Sequence, residues 1–253
     1  MIDQKRLPET LRDFRHKYQV VYDIETIEHQ PEVIEPSSPD ANLRPVSIGC
    51  SVNLPGIEDK WFCIRSSADG EVQKMVNEFM DHLMTLSRTY RDSIPQPIKD
   101  LAKDIRVKLA DKKLKFNDRR RQLQEDLDCL KKYEILPVYA FNGAKFDLVV
   151  LMPYIAKWCG KEIKTNIIKR GAHYMMLTVD GIQFRDVLDF TAPTNLEKYL
   201  KTWGASEVKS LFPYSYFKSI EEMESTLEFP SQEAFFNELK QVKYYWVALK
   251  RAD

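Results

Sequence analysis

The sequence predicts an α/β fold in which a mixed β-sheet is flanked by helices. Three short β-type segments come first, over residues 20–26, 45–53 and 60–64, and a long segment with helical periodicity begins near residue 70. Further along, the apolar segment 135–141 runs directly into a helical pattern. A buried strand that is followed at once by a helix is typical of α/β sheets.

Composition limits the classes of protein to be considered. The chain has 253 residues, a length that suits one large α/β domain or two small ones, and its 43% hydrophobic and 11% aromatic content predicts a folded core. Our interpretation is a single domain over residues 1–253. Lysine plus arginine equal aspartate plus glutamate at 38 each, so any nucleic-acid contact must come from a local patch. The four cysteines have no CxxC spacing, which argues against a zinc site.

The compartment follows from the same features only in outline. Widely spaced cysteines are typical of reduced thiols in an intracellular protein. The N-terminus has no apolar signal-peptide core, and no run of about 18 apolar residues occurs in the chain. We therefore expect a soluble, intracellular protein without a membrane partner, and the sequence does not distinguish nucleus, mitochondrion and cytoplasm.

Two acids stand close together at the end of the first β-type segment. Asp23 and Glu25 are separated only by Ile24, so in a strand both carboxylates point to the same face. Two adjacent like charges are costly unless a cation neutralises them, and oxygen ligands suit Mg²⁺ or Mn²⁺ better than zinc. An edge strand with two solvated acids is the simpler alternative, because Asp-x-Glu is a common pattern.

The segments around these acids have weaker signals. We predict a short helix over residues 1–18 and a loop over residues 28–44 that borders the acids. The charged segment 91–134 carries a sparse apolar stripe and is predicted to be a helical insertion. Its basic residues are followed at once by acidic ones, so a solvated surface is a better interpretation than a phosphate-binding patch. An interaction arm is the alternative for this segment.

A third acid follows the buried strand that ends near residue 141. Asn142 and Gly143 form a tight turn after the strand, and Asp147 stands at the start of the next helix. The order of elements brings Asp147 toward Asp23 and Glu25 in a ribonuclease H-like sheet. Three carboxylates in this position would hold one or two Mg²⁺ ions, and two such ions can promote attack of water on a phosphodiester.

The remainder of the chain is predicted to contain three strands and several short helices. Asp180 and Gly181 mark a hairpin between β-type segments within residues 163–187. Asn195 caps a helix that Gly204 ends. In the tail, residues 205–253, we predict one helix near residues 218–226 and another after residue 231.

Two motifs resemble a known family. Asp23-Ile24-Glu25-Thr26 resembles the first exonuclease motif of family B DNA polymerases, and the run from Phe141 to Asp147 resembles the second. The extended form Phe-Asn-Gly-Ala-Lys-Phe-Asp-Leu is similar to protein-primed polymerases of viruses, linear plasmids and self-synthesising transposons. The segments 183–203 and 212–217 are similar to the same group. The resemblance implies a DnaQ-like 3′→5′ proofreading exonuclease domain of a DNA-directed DNA polymerase that acts in DNA replication.

The resemblance also implies roles for individual residues. It makes three acids the catalytic metal ligands for two Mg²⁺ (or Mn²⁺) ions: Asp23, Glu25 and Asp147. It implies that Asn142 positions the terminal nucleotide. It also implies that three further residues contact the DNA strand: Thr26, Phe146 and Lys145. The implied partners are the 3′ end of single-stranded DNA at a primer–template and a terminal protein that serves as primer.

One family motif has no counterpart here. The third exonuclease motif, Tyr-x-x-x-Asp, supplies a tyrosine that orients water and a further acidic ligand, and no tyrosine in this chain has an aspartate four residues later. Palm and fingers motifs are absent as well, so we expect an N-terminal exonuclease part with low activity on its own. Asp186 or Asp189 could replace the missing ligand, but a helix-initiating or hairpin acid is the preferred interpretation.

Other functions stay open at this point. A decayed or domesticated exonuclease fold that binds DNA or a protein is the competing class, and an exoribonuclease of the same fold is a third possibility. A basic cluster is a second candidate for binding the DNA strand, and three aromatic residues lie near it in sequence. The alternative is that this cluster is a solvated edge. The cluster comprises Lys161, Lys164, Lys169 and Arg170, and the aromatic residues are Tyr174, Phe184 and Phe190.

Overall fold

The computed structural model describes most of the chain from residue 16 onward. The described residues are 16–28, 43–68, 70–111, 118–160, 163, 165–205, 213, 216–217, 219–226, 230–231, 236–237 and 242–243. Most of the predicted N-terminal helix and most of the predicted loop 28–44 lie outside these residues. Lys161 and Lys164 of the predicted basic cluster lie outside them too.

The elements follow the predicted order closely. In chain order they are β1 (Val20–Glu28), β2 (Leu43–Val52), β3 (Lys60–Cys63), α1 (Glu71–Asp92), α2 (Gln96–Ala110), α3 (Asp118–Lys131), β4 (Leu136–Ala140), α4 (Asp147–Cys159), β5 (Thr165–Arg170), β6 (His173–Val179), β7 (Ile182–Asp186), α5 (Leu196–Thr202), α6 (Ile220–Ser225), β8 (Phe236–Asn237) and β9 (Val242–Lys243). Short 3-10 helices cover Lys132–Glu134 and Val187–Phe190.

Seven strands form one mixed sheet in the order β3-β2-β1-β4-β7-β6-β5. Strands β1, β2 and β3 are antiparallel neighbours, whereas β1, β4 and β7 run parallel to one another. Strands β5 and β6 extend the sheet beyond β7 in antiparallel pairing. The prediction of an α/β fold with a mixed sheet and flanking helices is therefore confirmed.

Helices α1 and α4 lie side by side on one face of this sheet. Gln73 of α1 donates to the carbonyl of Tyr154, and the indole N–H of Trp158 in α4 donates to Asp81 at 2.9 Å. The core between these helices and the sheet is apolar and rich in aromatic rings. The ring centre of Phe79 in α1 lies 5.7 Å from that of Tyr22 and 5.6 Å from that of Phe62. Burial of this helical face against the sheet is the main stabilising interaction of the domain.

The opposite face of the sheet carries polar and exposed side chains, and we call it the open face. Asp23 of β1 lies opposite Gly49 of β2, which lies opposite Trp61 of β3. Trp61 is 64% exposed and Val21 is 45% exposed, which is unusual for large apolar residues in strands. In the described part of the chain, neither α1 nor α4 reaches this face, because their buried residues pack on the other side.

The charged insertion forms two helices that pack on each other. Helices α2 and α3 share a small apolar cluster of their own, built on Ala102, Ile105, Leu127 and Leu130. Most of their charged side chains are exposed, and intrahelical pairs such as Lys108 with Asp104 lie on their surface. This arrangement agrees with a solvated helical pair attached to the sheet domain.

The tail differs in one respect from the prediction. Helix α6 occupies the place predicted for the first tail helix, and Ser219 caps it by accepting from the backbone N–H of Glu222. The helix predicted after residue 231 is wrong at the described positions, because β8 and β9 pair there in a small antiparallel ladder. Paired backbone groups outweigh helical propensity in this segment. Among the described helices, none has the length and apolarity needed to cross a membrane.

Removal of the Phe79 ring tests whether α1 anchors the sheet. The side chain is fully buried, so we expect Phe79→Ala to lower the free energy of unfolding by about 3–5 kcal/mol through the cavity it leaves. Urea unfolding followed by circular dichroism measures this change. Arg88→Ala, an exposed position on the same helix, is the control and should stay within about 0.5 kcal/mol of the native protein. Equal effects of the two changes would contradict the assigned packing.

Candidate functional site

Strand β1 places its two acids on the open face. Tyr22 and Ile24 are buried against the helices at 3% and 2% exposure, whereas Asp23 is exposed and Glu25 is half-buried. The alternation that the sequence predicts is therefore present in the structure. Asp23 and Glu25 point to the same side of the sheet and away from its apolar core.

The alternation changes immediately after Glu25. The pairing of β1 with β2 shifts register between Glu25 and Thr26, which marks a β-bulge. Beyond the bulge, Thr26 and Ile27 are both buried, at 3% and 1% exposure. Thr26, which the resemblance assigns to the DNA strand, thus lies in the interior in this structure.

Asp147 reaches β1 at the point where β4 leaves it. The parallel pairing of β1 with β4 covers only Val20 and Val21, although β1 continues to Glu28. Beyond that pairing, the backbone N–H of Ile24 donates to Oδ1 of Asp147 at 3.3 Å. Asp147 is the first residue of α4 and is 3% exposed. A carboxylate 123 residues away in sequence therefore contacts the residue that separates Asp23 from Glu25.

Asp186 fixes the loop that carries Asp147. Its Oδ1 accepts from the backbone N–H of Asn142 at 2.9 Å, and its Oδ2 accepts from the backbone N–H of Ala144 at 3.0 Å. The same carboxylate caps the following 3-10 helix by accepting from Leu188 N at 2.9 Å. Asp186 is 3% exposed, so these charge-assisted bonds compensate its desolvation. The preferred interpretation of Asp186 as a helix-initiating acid agrees with this geometry.

The Asn-Gly pair makes the loop possible. Asn142 has a φ of 65°, a left-handed conformation that asparagine tolerates better than most residues. Its carbonyl accepts from the backbone N–H groups of Lys145 and Phe146, both at 3.2 Å. A Cβ added to Gly143 would lie 2.6 Å from the Cβ of Ala140, so no larger residue fits there without movement of the loop.

The strand-contacting residues implied by the resemblance differ in accessibility. Asn142 is half-buried, and its side-chain amide has no hydrogen-bond partner among the described residues. Lys145 is exposed, and Phe146 is half-buried where it packs against the main core. Asn142 and Lys145 are thus placed where an external ligand can reach them.

Tyr22 is a site residue that sequence reasoning missed. Its ring lies between Phe79 and Phe184, and its hydroxyl is 3.6 Å from the position of a Cβ built on Gly143. Burial raises the pKa of Tyr22 well above its usual value, and the nearby charges of Asp147, Asp186 and Asp23 raise it further. The phenol therefore stays protonated beneath the acidic loop. The sequence indicates this position only through alternation, because Tyr22 precedes Asp23 in β1 and therefore points to the buried face.

Metal binding depends on how closely the acids approach one another. Within the described ranges, no three His, Cys, Asp or Glu side chains are placed closely enough to hold a metal ion. Asp23 and Glu25 lie on the open face, while Oδ1 of Asp147 is directed at the Ile24 amide. The donor types suit a hard cation, but in this conformation the three carboxylates are neighbours and do not form a ligand set.

Comparison with known proteins does not assign this chain to a family. The chain matches no protein-family model, and no curated protein matches it. Function is therefore inferred from the bond between Asp147 and β1 and from the bonds between Asp186 of β7 and the loop that precedes Asp147.

A line of aromatic contacts begins at Phe141, directly before the Asn-Gly turn. Phe141 packs on Tyr199 with ring centres 5.6 Å apart, and Tyr199 contacts Trp203, which is 73% exposed. Of the predicted basic cluster, Lys169 and Arg170 are described and both are exposed at the end of β5. The ammonium group of Lys169 lies 4.1 Å from the ring centre of Tyr174. Phe184, one of the three aromatic residues near this cluster in sequence, is 1% exposed in the core and cannot stack on a base there.

Replacement of Gly143 tests the steric basis of the loop. We expect Gly143→Ala to lower the free energy of unfolding by about 1–3 kcal/mol, because the new methyl group overlaps the Cβ of Ala140. Gly49→Ala is the matched control, since a Cβ there meets nothing closer than 3.9 Å. Urea unfolding measures both variants. Adding Ala140→Gly to Gly143→Ala should restore part of the loss, and a fully stable single variant would contradict the geometry.

Replacement of Asp186 tests the anchoring of the loop. An asparagine keeps one acceptor oxygen but turns an NH₂ group toward a backbone donor, so we expect Asp186→Asn to cost about 3 kcal/mol. Asp189→Asn, at an exposed neighbouring position, is the control. Unfolding curves give the free energies, and amide hydrogen exchange at Asn142 and Ala144 should accelerate in the Asp186 variant only. Indistinguishable variants would refute the anchoring role.

Proposed function

We propose that this chain is a ribonuclease H-like nuclease domain that removes nucleotides from the 3′ end of a single DNA strand. In this proposal it is the proofreading exonuclease part of a DNA-directed DNA polymerase of the protein-primed, family B type. The observation that carries the proposal is the bond from Ile24 N–H to Asp147 Oδ1, since it joins the segment of the first motif to that of the second. An antiparallel β1–β3 unit with β4 parallel to β1 supports the ribonuclease H-like assignment.

Four side chains around the loop before Asp147, together with Asp186 and Tyr22 beneath it, would divide the work of hydrolysis. Asp23, Glu25 and Asp147 would hold Mg²⁺ or Mn²⁺, which activates water and stabilises the leaving oxygen of a phosphodiester when it is bound. Asn142 presents a neutral amide that can bond a sugar or phosphate oxygen of the terminal nucleotide without adding charge. Asp186 holds the backbone of Asn142 and so fixes the position from which its side chain extends. Tyr22 supports the loop from below as an uncharged, buried side chain.

One observation favours a second candidate function, a binding module without catalysis. Within the described residues, the carboxylates do not converge into a three-ligand group. A nuclease whose groups are not positioned for the transition state loses orders of magnitude in rate. The same fold could then hold a DNA strand, or a terminal protein, without cleaving it.

An exonuclease assay separates these functions. With a 5′-labelled single DNA strand and Mg²⁺ or Mn²⁺, we expect slow trimming from the 3′ end that falls by about 100-fold or more in Asp23→Asn and in Asp147→Asn. Asp59→Asn, an exposed acid in the turn before β3, should trim like the native chain. A matched RNA strand tests the sugar preference.

Two results of this assay would count against the proposed nuclease. Trimming that is independent of Asp23 and Asp147 would point to a contaminating nuclease and refute the assigned site. No trimming with either metal would favour the binding module.

A further inference from the structure

A guanidinium group on the open face lies in register with the acidic strand. Arg185 of β7 is the pairing partner of Tyr139 in β4, and Tyr139 is the pairing partner of Val21 in β1. Because paired residues point to the same face, these three side chains form a row across the sheet. Asp23 stands two residues beyond Val21 on that face. Strand spacing and rise place the Cα of Arg185 roughly 12 Å from that of Asp23.

Arg185 is held in place without an acidic partner. Its Nε donates to the side-chain oxygen of Gln183, and its Nη2 lies 3.8 Å from the sulfur of Met176. Among the described residues, no carboxylate comes within ion-pair distance of its guanidinium group. A half-buried cation with this arrangement retains N–H donors for an external anion, and the planar guanidinium suits the geometry of phosphate.

The surroundings of Arg185 are mixed in charge. Burial lowers the pKa of His16, and the nearby positive charges of Arg185 and Lys132 lower it further. On the other side, burial and the charge of Asp186 raise the pKa of Asp189, and Arg185 partly opposes this. The guanidinium group therefore lies between a weakly basic region and the carboxylate of Asp189.

An accessible aromatic ring lies next to the guanidinium group. The centre of the Phe190 ring is 5.8 Å from Cζ of Arg185 and 6.2 Å from the ring centre of Tyr139, which it meets edge-on. Phe190 is 61% exposed, so much of its ring is open to solvent. A phosphate-binding cation beside an open aromatic ring is the combination with which proteins hold single-stranded nucleic acids, by backbone contact and base stacking.

We propose that Arg185 and Phe190 form a binding subsite for single-stranded nucleic acid, in which Arg185 contacts a phosphate and Phe190 stacks on an unpaired base. The inference rests on the proposed function, since it places the strand on the same face as Asp23 and upstream of the end that is cleaved. Tyr139 supports the Phe190 ring. A duplex is a poor occupant, because its bases are stacked on one another and cannot stack on Phe190.

A binding experiment without cleavage tests this subsite. A fluorescein-labelled single DNA strand is titrated with the full chain in EDTA, and fluorescence anisotropy is recorded at several salt concentrations. We expect Arg185→Gln to weaken binding about tenfold and Phe190→Ala by a similar factor. The slope of log K against log salt should fall by about 0.7 in Arg185→Gln, which is the change for one lost phosphate contact on a single strand. It should not change in Phe190→Ala.

Matched controls decide between this subsite and general electrostatics. Arg88→Gln removes an exposed arginine from α1, on the other side of the sheet, and should bind with native affinity and native slope. Arg185→Lys keeps the charge and should recover the salt slope but only part of the affinity, because it loses the planar donor pair. Circular dichroism checks that each variant is folded.

The outcomes separate this inference from the proposed function. Reduced binding of Arg185→Gln together with no metal-dependent trimming would support the subsite and refute the nuclease. Trimming that needs Asp23, with native binding and slope in Arg185→Gln and Phe190→Ala, would overturn the subsite and leave the nuclease. Failure of the native chain to bind a single DNA or RNA strand, or equal loss of duplex binding in Phe190→Ala, would overturn the subsite as well.

Discussion

The candidate site depends most on the hydrogen bonds that the carboxylate of Asp186 accepts. It accepts hydrogen bonds from the backbone of Asn142 and Ala144, which precede Asp147, and from Leu188, which follows β7. A buried carboxylate is stable only with such donors. The backbone N–H of Tyr174 in β6 also donates to the carbonyl of Ala144, at 3.0 Å, so the loop is tied to two neighbouring strands. Asp186 thus supplies the side-chain part of the anchoring that positions the turn before Asp147.

Unequal strand lengths create the place that Asp147 occupies. Strand β4 ends at Ala140, whereas β1 continues to Glu28, so the edge of β1 toward β4 loses its strand partner beyond Val21. A backbone N–H at such an edge needs an acceptor, and Asp147 provides one to Ile24. The same geometry brings a buried acid next to two accessible ones. Satisfaction of this edge amide thus places Asp147 beside the segment of β1 that carries Asp23 and Glu25.

The local part of this architecture follows from sequence patterns. Alternation predicts β1 and the shared face of its two acids, Asp180-Gly181 predicts the turn between β6 and β7, and Asn195 caps α5 through the backbone N–H of Lys198 as expected. These features depend on residues that are close in sequence, where backbone conformation and side-chain periodicity decide the structure. The fold class could therefore be predicted, as could the neighbourhood of Asp147 and β1.

The remaining features depend on contacts between distant residues. The bonds from Asp186 to the loop span 42 and 44 residues, and nothing in the local sequence of β7 distinguishes an anchoring acid from a metal ligand. The accessibility of Arg185 depends on Gln183 and on Phe190, which the 3-10 helix after β7 holds beside it. The two strands after residue 231 escaped prediction because their mutual pairing, not their composition, determines them.

The proposed function requires Asp23, Glu25 and Asp147 to share one divalent cation, although within the described residues they do not form a ligand set in this conformation. Titration of ¹⁵N-labelled protein with Mn²⁺ tests it directly, since the ion broadens the amide signals of nearby residues. We expect broadening at Ile24, Asp23 and the Asn142–Asp147 loop at sub-stoichiometric Mn²⁺, and its loss in Asp23→Asn. Broadening that spreads evenly over exposed acids such as Asp59 and Asp118, or that is unchanged in the variant, would contradict the claim.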